Sequence, residues 1–160
     1  VPSSLVEPVA LSNGTASWET NGTKTIAGWG STDEECMVYD TILRDSEVPL
    51  GTYGEECSTP GSKMLTKALD FDYKLQLCAG IYEAETLKFP GCGDSGGPIL
   101  ESMNGTWSQV GFVSWSYGSQ FPDVFTRVSA YKEWITNTTA MLKSEGPLSA
   151  EALREAATAP

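Results

Sequence analysis

Short segments rich in β-branched and aromatic residues run through most of the chain, and Gly, Pro, Ser and Asn close them off. They predict strands near Lys24–Trp29, Thr41–Val48, Lys74–Ala79, Pro98–Glu101, Gln109–Trp115 and Val124–Val128. Short strands at this spacing predict an antiparallel barrel or sandwich. One stretch has a different period: Tyr131, Trp134, Ile135, Thr138 and Leu142 fall on one helical face, with Ser129 placed to cap the helix N-terminus. That stripe reads as core packing rather than as a binding surface. Beyond it, residues 143–160 turn to Ala, Glu, Pro and Ser and predict a flexible tail, with at most a transient helix over Ala150–Ala157. No internal repeat is present.

Composition narrows the function classes. At 160 residues the chain is one domain, long enough to bury roughly 68–70% of its unfolded surface without a metal or a dense disulfide scaffold. Its net charge of −11, with the ten basic residues scattered, opposes binding to phosphate backbones or anionic lipid. Neither nucleic acid nor membrane is expected as a partner, and no apolar run approaches the ~20 residues of a membrane span. The start Val1-Pro2-Ser3-Ser4 has no signal-peptide pattern and reads as an excised or mature piece. The chain has no His, which excludes any mechanism that needs an imidazole of its own. Four Cys without a Cys-x-x-Cys spacing favour disulfides over zinc, so no metal or cofactor is expected. The four Asn, Asn13, Asn21, Asn104 and Asn137, each begin an Asn-x-Ser/Thr triplet. This predicts a secreted glycoprotein, although three of them are Asn-Gly pairs that also serve as hairpin turns.

The chemistry-bearing segment is Gly91-Cys92-Gly93-Asp94-Ser95-Gly96-Gly97-Pro98. Its glycines permit left-handed backbone, so that amides can line a concave site with Ser95 at its edge. The Gly-Asp-Ser-Gly-Gly-Pro run resembles the nucleophile loop of the chymotrypsin/trypsin family. Companion segments follow in the family's order: Gly28-Trp29-Gly30, Cys78-Ala79-Gly80 with Cys57 upstream, Val113-Ser114-Trp115, and Val124-Phe125-Thr126-Arg127-Val128 followed by Tyr131 and Trp134. The resemblance covers 1–142 and only the C-terminal half of that family's domain. It implies an all-β fold, the second six-stranded antiparallel β-barrel of a trypsin-like protein with a C-terminal α-helix.

The resemblance also implies roles. Ser95 takes the nucleophile position, the amides of Gly93 and Ser95 the oxyanion hole, and Asp94 the carboxylate that pairs with a new N-terminal ammonium. The family's His and Asp would lie upstream of Val1, so Ser95 has no base in this chain. Without an ammonium partner, Asp94 is expected to prefer solvent and the Gly93 amide can turn away. Cys92 directly precedes Gly93, where the family usually has one residue between. This places either Phe89 or Pro90 at the base of the specificity pocket, where trypsin carries an Asp. Ser114, Trp115 and Ser116 fall on the substrate-binding strand, with Ser116 in place of a pocket Gly. Asp123 reads either as a pocket carboxylate or as a surface Asp in a turn. The resemblance supports a Cys57–Cys78 disulfide, whereas the usual partner of the loop Cys is missing. Cys36 and Cys92 then either form a replacement bond or remain free thiols.

Three functions follow. The chain is the C-terminal part of a secreted serine endopeptidase that hydrolyses peptide substrate once an N-terminal half complements it. Alternatively it is a non-catalytic homologue that binds or inhibits a target protein, or a truncated product with no role. Separation from a first barrel would expose an apolar face of roughly 600–1,500 Å².

Overall fold

The computed structural model describes residues 6–14, 22–50, 71–80, 88–116 and 122–145. Its strands are β1 (Ala10–Leu11), β2 (Thr23–Gly28), β3 (Arg44–Pro49), β4 (Gln76–Ala79), β5 (Pro98–Met103), β6 (Thr106–Trp115) and β7 (Asp123–Arg127). A 3-10 turn over Val128–Tyr131 leads to helix α1 (Lys132–Glu145). Six strands pair in the order β3-β2-β5-β6-β7-β4, all antiparallel. The two outer strands then meet: Leu50 bridges Ala79, and the Gly80 N–H donates to the Pro49 carbonyl at 3.0 Å. The curled sheet thereby joins its two outer strands at one end as a six-stranded antiparallel barrel, the predicted fold class.

Strand starts differ from the sequence reading for a local reason. The Asp40 side chain accepts the Ile42 N–H at 3.1 Å and the Asp72 side chain accepts the Lys74 N–H at 2.8 Å. Each makes a turn that holds the backbone out of the extended region, so β3 begins at Arg44 and β4 at Gln76. Strand β1 was not predicted, because two residues carry no periodicity. It pairs in parallel with Ser108 and Gln109 of β6, a stretch that β7 does not reach because its pairing covers only Gly111 to Trp115. Asn104 and Gly105, at φ 51° and 78°, make the tight turn joining β5 to β6. Positive φ at both central residues is the twist-matched hairpin geometry that favours Asn-Gly.

Inward alternation assembles the core from Ile26, Val48, Leu50, Leu77, Ala79, Ile99, Val110 and Phe125. Lys24 shares the inward face of β2 with Ile26 and is 2% exposed. The β2–β5 register sets it opposite Glu101, and the two form an ion pair at 2.7 Å. A buried ammonium is tolerated only with such a partner.

Of the described residues, 130–145 belong to a unit separate from the one that holds the strands. Within α1, Glu133 in the first turn and Lys143 in the last complement the helix dipole. Of the predicted apolar stripe, Thr138 is buried and Ile135 half-buried, while Tyr131, Trp134 and Leu142 stay exposed. The stripe is thus only partly covered.

Replacing Lys24 with Met strands the Glu101 carboxylate. We expect a loss of about 3–5 kcal/mol in urea unfolding, with much of it recovered in the Lys24→Met/Glu101→Leu double variant. An unchanged midpoint for the single variant would show that the pair contributes nothing.

Candidate active site

The loop between Gly91 and Pro98 is held by its own backbone. The Asp94 N–H donates to the Gly91 carbonyl at 3.0 Å and the Gly97 N–H to the Asp94 carbonyl at 2.7 Å. The Gly96 N–H donates to the Val113 carbonyl, and the Val113 N–H returns a bond to Gly97, both at 2.9 Å. This stitches the end of the loop to β6. Gly93 and Gly96 take φ of 97° and 81°, a region open to glycine. Ser95, between these turns, is exposed. Among the described residues, the N–H groups of Gly93 and Ser95 have no protein acceptor, although those of Asp94, Gly96 and Gly97 all do.

Asp94 turns inward. Its Oδ1 accepts the Gly30 N–H and its Oδ2 the Gly91 N–H, each at 2.8 Å. Two charge-assisted bonds offset the desolvation of a half-buried carboxylate, so the expectation that Asp94 seeks solvent is not met. This geometry also explains the Gly-Trp-Gly motif: a Cβ on Gly28 or on Gly30 would overlap the Asp94 carboxylate.

A second arm, residues 30–39, lies against the same loop. The Ser31 N–H donates to the Cys92 carbonyl at 2.8 Å, and the Cys92 N–H donates to Ser31 Oγ at 3.0 Å. A Cys36–Cys92 disulfide joins the two segments, with Cα atoms 5.5 Å apart. This is the replacement bond, and the free-thiol alternative falls. The arm folds back through a Ser31–Tyr39 bridge, and the Tyr39 ring comes within 3.5 Å of the space a Gly93 Cβ would fill. Asp33 shapes its tip by accepting the N–H groups of Val38 at 2.7 Å and Met37 at 3.1 Å. The Val38 and Met37 bonds hold its carboxyl below the usual carboxylate range, outweighing the opposing effect of burial. Sequence reasoning missed Ser31 and Tyr39, for which no local pattern signals a contact some sixty positions away.

The remaining predicted residues separate into groups. Phe89 and Pro90 line a cavity of about 590 Å³ together with Asp94, Gly28, Gly30 and Arg44. Ser114, Trp115, Ser116 and Asp123 are not among the described residues lining it. Ser114 is the extra residue at a bulge between β6 and β7, since Val113 pairs with Phe125 and Trp115 with Val124. A bulge re-aims the strand and leaves that residue outside the ladder, and Ser114 is exposed. Asp123 is 2% exposed and opens β7 opposite Ala79, so the surface-turn alternative does not hold. Cys78 is disulfide-bonded; its expected partner, Cys57, lies outside the described residues. Asn13, Asn104 and Asn137 are exposed, and Asn21 is outside the described set. Trp29, Met37, Val38, Tyr39, Ile42 and Leu43 are exposed apolar side chains. Among the described residues, no cluster of His, Cys, Asp and Glu has the geometry to hold a metal, and no helix is long and apolar enough to cross a membrane.

A closed barrel carrying a Gly-Asp-Ser-Gly loop of this geometry defines a class of protein, and sequence comparison agrees. The family model described as Trypsin matches residues 2–135. A hepatocyte growth factor activator serine protease from Mus musculus is 35% identical over 141 residues, covering 86% of this chain and 20% of the relative. The Homo sapiens protein of the same description is 34% identical over 139 residues, covering 84% of this chain and 20% of the relative. The chain belongs to the trypsin family of serine proteases. It spans about a fifth of the length of these curated relatives.

Two outcomes follow. Gly30→Ala should expel the Asp94 carboxylate and cost about 1–3 kcal/mol in thermal or urea unfolding, as overpacking does; wild-type stability would mean the carboxylate has room. Because the Asp33 pKa is depressed on folding, its hold on the arm is complete above the usual carboxylate range and is lost as pH falls through the depressed value. Amide shifts of Met37 and Val38 should titrate at that low pH and should not titrate in Asp33→Asn.

Proposed function

We propose that this chain is the C-terminal part of a secreted trypsin-like serine endopeptidase, with Ser95 as nucleophile, inactive until an N-terminal half supplies the His and Asp. The supporting observation is the division of amides in the loop: those of Gly91, Cys92, Asp94, Gly96 and Gly97 all reach protein acceptors, while Gly93 and Ser95 keep theirs without one among the described residues. Such a pair suits an oxyanion hole. The Ser95 hydroxyl would add to the scissile carbonyl carbon and pass its proton to the supplied imidazole, and the carbonyl oxygen would take negative charge opposite those two N–H groups. Collapse then expels the amine, which takes the proton, and water releases the acyl group from Ser95.

Phe89 or Pro90 would form the pocket base, and Ser114, Trp115 and Ser116 the strand that pairs with substrate; Asp123, buried at the start of β7, does not line the cavity that holds Phe89 and Pro90. An apolar pocket base offers Arg and Lys side chains no carboxylate to pair with. Disulfides and the four Asn-x-Ser/Thr triplets support passage through an oxidising, glycosylating compartment. The exposed side chains between Trp29 and Leu43 suit an apolar partner surface.

A fluorophosphonate probe tests the reading. The isolated chain should label only in trace amounts, because it has no His. Addition of an N-terminal half bearing His and Asp should bring stoichiometric labelling that Ser95→Ala abolishes. Strong labelling of the chain alone would overturn the need for a supplied base. No labelling after complementation would favour a non-catalytic homologue that binds a target protein.

A further inference from the structure

Cys92 is the residue on which the two arms of the site converge. On one side it bonds covalently to Cys36; on the other its N–H and carbonyl are both held by Ser31, at 3.0 and 2.8 Å. The next residue, Gly93, is at φ 97° and carries one of the two free amides. A glycine has no side chain to fix its rotation, so the orientation of that amide depends on its neighbours. On one flank is Cys92, braced as described. On the other is Asp94, tied to Gly30 and Gly91.

The two cystines also differ in access. Cys92 is exposed and Cys36 half-buried, whereas Cys78 is 3% exposed. Thiol–disulfide exchange requires a thiolate to reach a sulfur, and among the described cysteines it is Cys92 that stands exposed, which opens the Cys36–Cys92 bond to attack.

We propose that Cys36 and Ser31 are positioning residues that act through Cys92 to set the Gly93 and Ser95 amides, and that a dithiol reductant releases this brace while the barrel stays folded. In that step a dithiol thiolate attacks one sulfur of the Cys36–Cys92 bond. Its second thiol closes an intramolecular disulfide, and two electrons and two protons pass to leave Cys36 and Cys92 as thiols. The barrel survives because its closure rests on the ladder from β3 to β4 and on the Lys24–Glu101 pair, none of which involves Cys36 or Cys92. The proposal rests on the oxyanion reading of these amides for its catalytic meaning, but the structural coupling stands or falls separately.

Amide hydrogen exchange reads that coupling without any catalysis. Treatment with dithiothreitol followed by alkylation should modify Cys36 and Cys92 and spare Cys78. Exchange at Gly30, Ser31, Gly91, Cys92 and Asp94 should then accelerate at least about tenfold, as for a local opening, while the ladder amides of β5, β6 and β7 hold their rates. Reoxidation should restore the slow rates. Ser31→Ala should accelerate Cys92 and Asp94 even with the disulfide intact, and Ser31→Thr should restore them. Should Cys78 reduce as well, the Cys36→Ser/Cys92→Ser variant provides the same comparison. Unchanged exchange at these five amides after the bond opens would overturn the proposal. So would equal acceleration in the strands, which would make the bond a global staple. A complemented protein that follows the exchange result but hydrolyses nothing would retire the oxyanion reading and leave the brace standing.

Discussion

The site depends on one carboxylate facing inward. With Asp94 bonded to the amides of Gly30 and Gly91, there is no space for side chains around it. Gly28 and Gly30 must lack a Cβ because the carboxylate occupies that volume, and Gly97 must lack one because the Asp94 carbonyl is 2.7 Å from where it would stand. Gly91 is excluded from a side chain by the Ser31 carbonyl on its other face. The glycines of two separate motifs thus follow from the placement of one acidic side chain. Sparse side chains in turn let backbone amides from two segments, at Gly30 and at Gly91, approach the same carboxylate.

A loop assembled this way needs a stiff support, which the barrel supplies. The exit of the loop is bonded to Val113 on both sides, so its end is as rigid as β6 itself. Strand β6 is central, with β5 and β7 on its flanks and β1 filling the stretch that β7 leaves open. Its bulge at Ser114 turns the strand immediately beyond that anchor. Functional loops on rigid strands are the usual division of labour in folded domains. Here the division is sharp: the core lies among strand residues, whereas every group of the candidate site belongs to a connection or a strand end.

The arm over 30–39 gives this chain its individual character. It carries the covalent tie to Cys92, a second pair of bonds through Ser31, and an aromatic ring beside Gly93. A tip held by Asp33 and a base tied to Asp94 leave the arm little freedom at either end. Family membership fixes the class of loop, but the relatives extend well beyond the fifth of their length that this chain matches. The way the loop around Ser95 is braced is therefore a matter for this chain's own residues.

Local chemistry was legible in the sequence. β-branched runs located the six barrel strands, Asn104-Gly105 marked a hairpin turn, and the Gly-rich order around Ser95 marked the loop. Each of these is decided by neighbours within a few positions, through backbone sterics and side-chain alternation. Pairings across the barrel were a different matter. Nothing local to Lys24 signals its burial, and only the β2–β5 register brings Glu101 within 2.7 Å of it and lets it be buried. Asp94 reads as a carboxylate without a partner until closure of the fold places two amides at 2.8 Å. Ser31 has no pattern at all, yet it holds the backbone of a residue 61 positions away. Sequence settled which segments form and what chemistry they carry, because those choices are short-range. Tertiary structure decided which charges are buried, which amides stay free and what braces them, because each depends on contacts between segments that only closure of the barrel brings together.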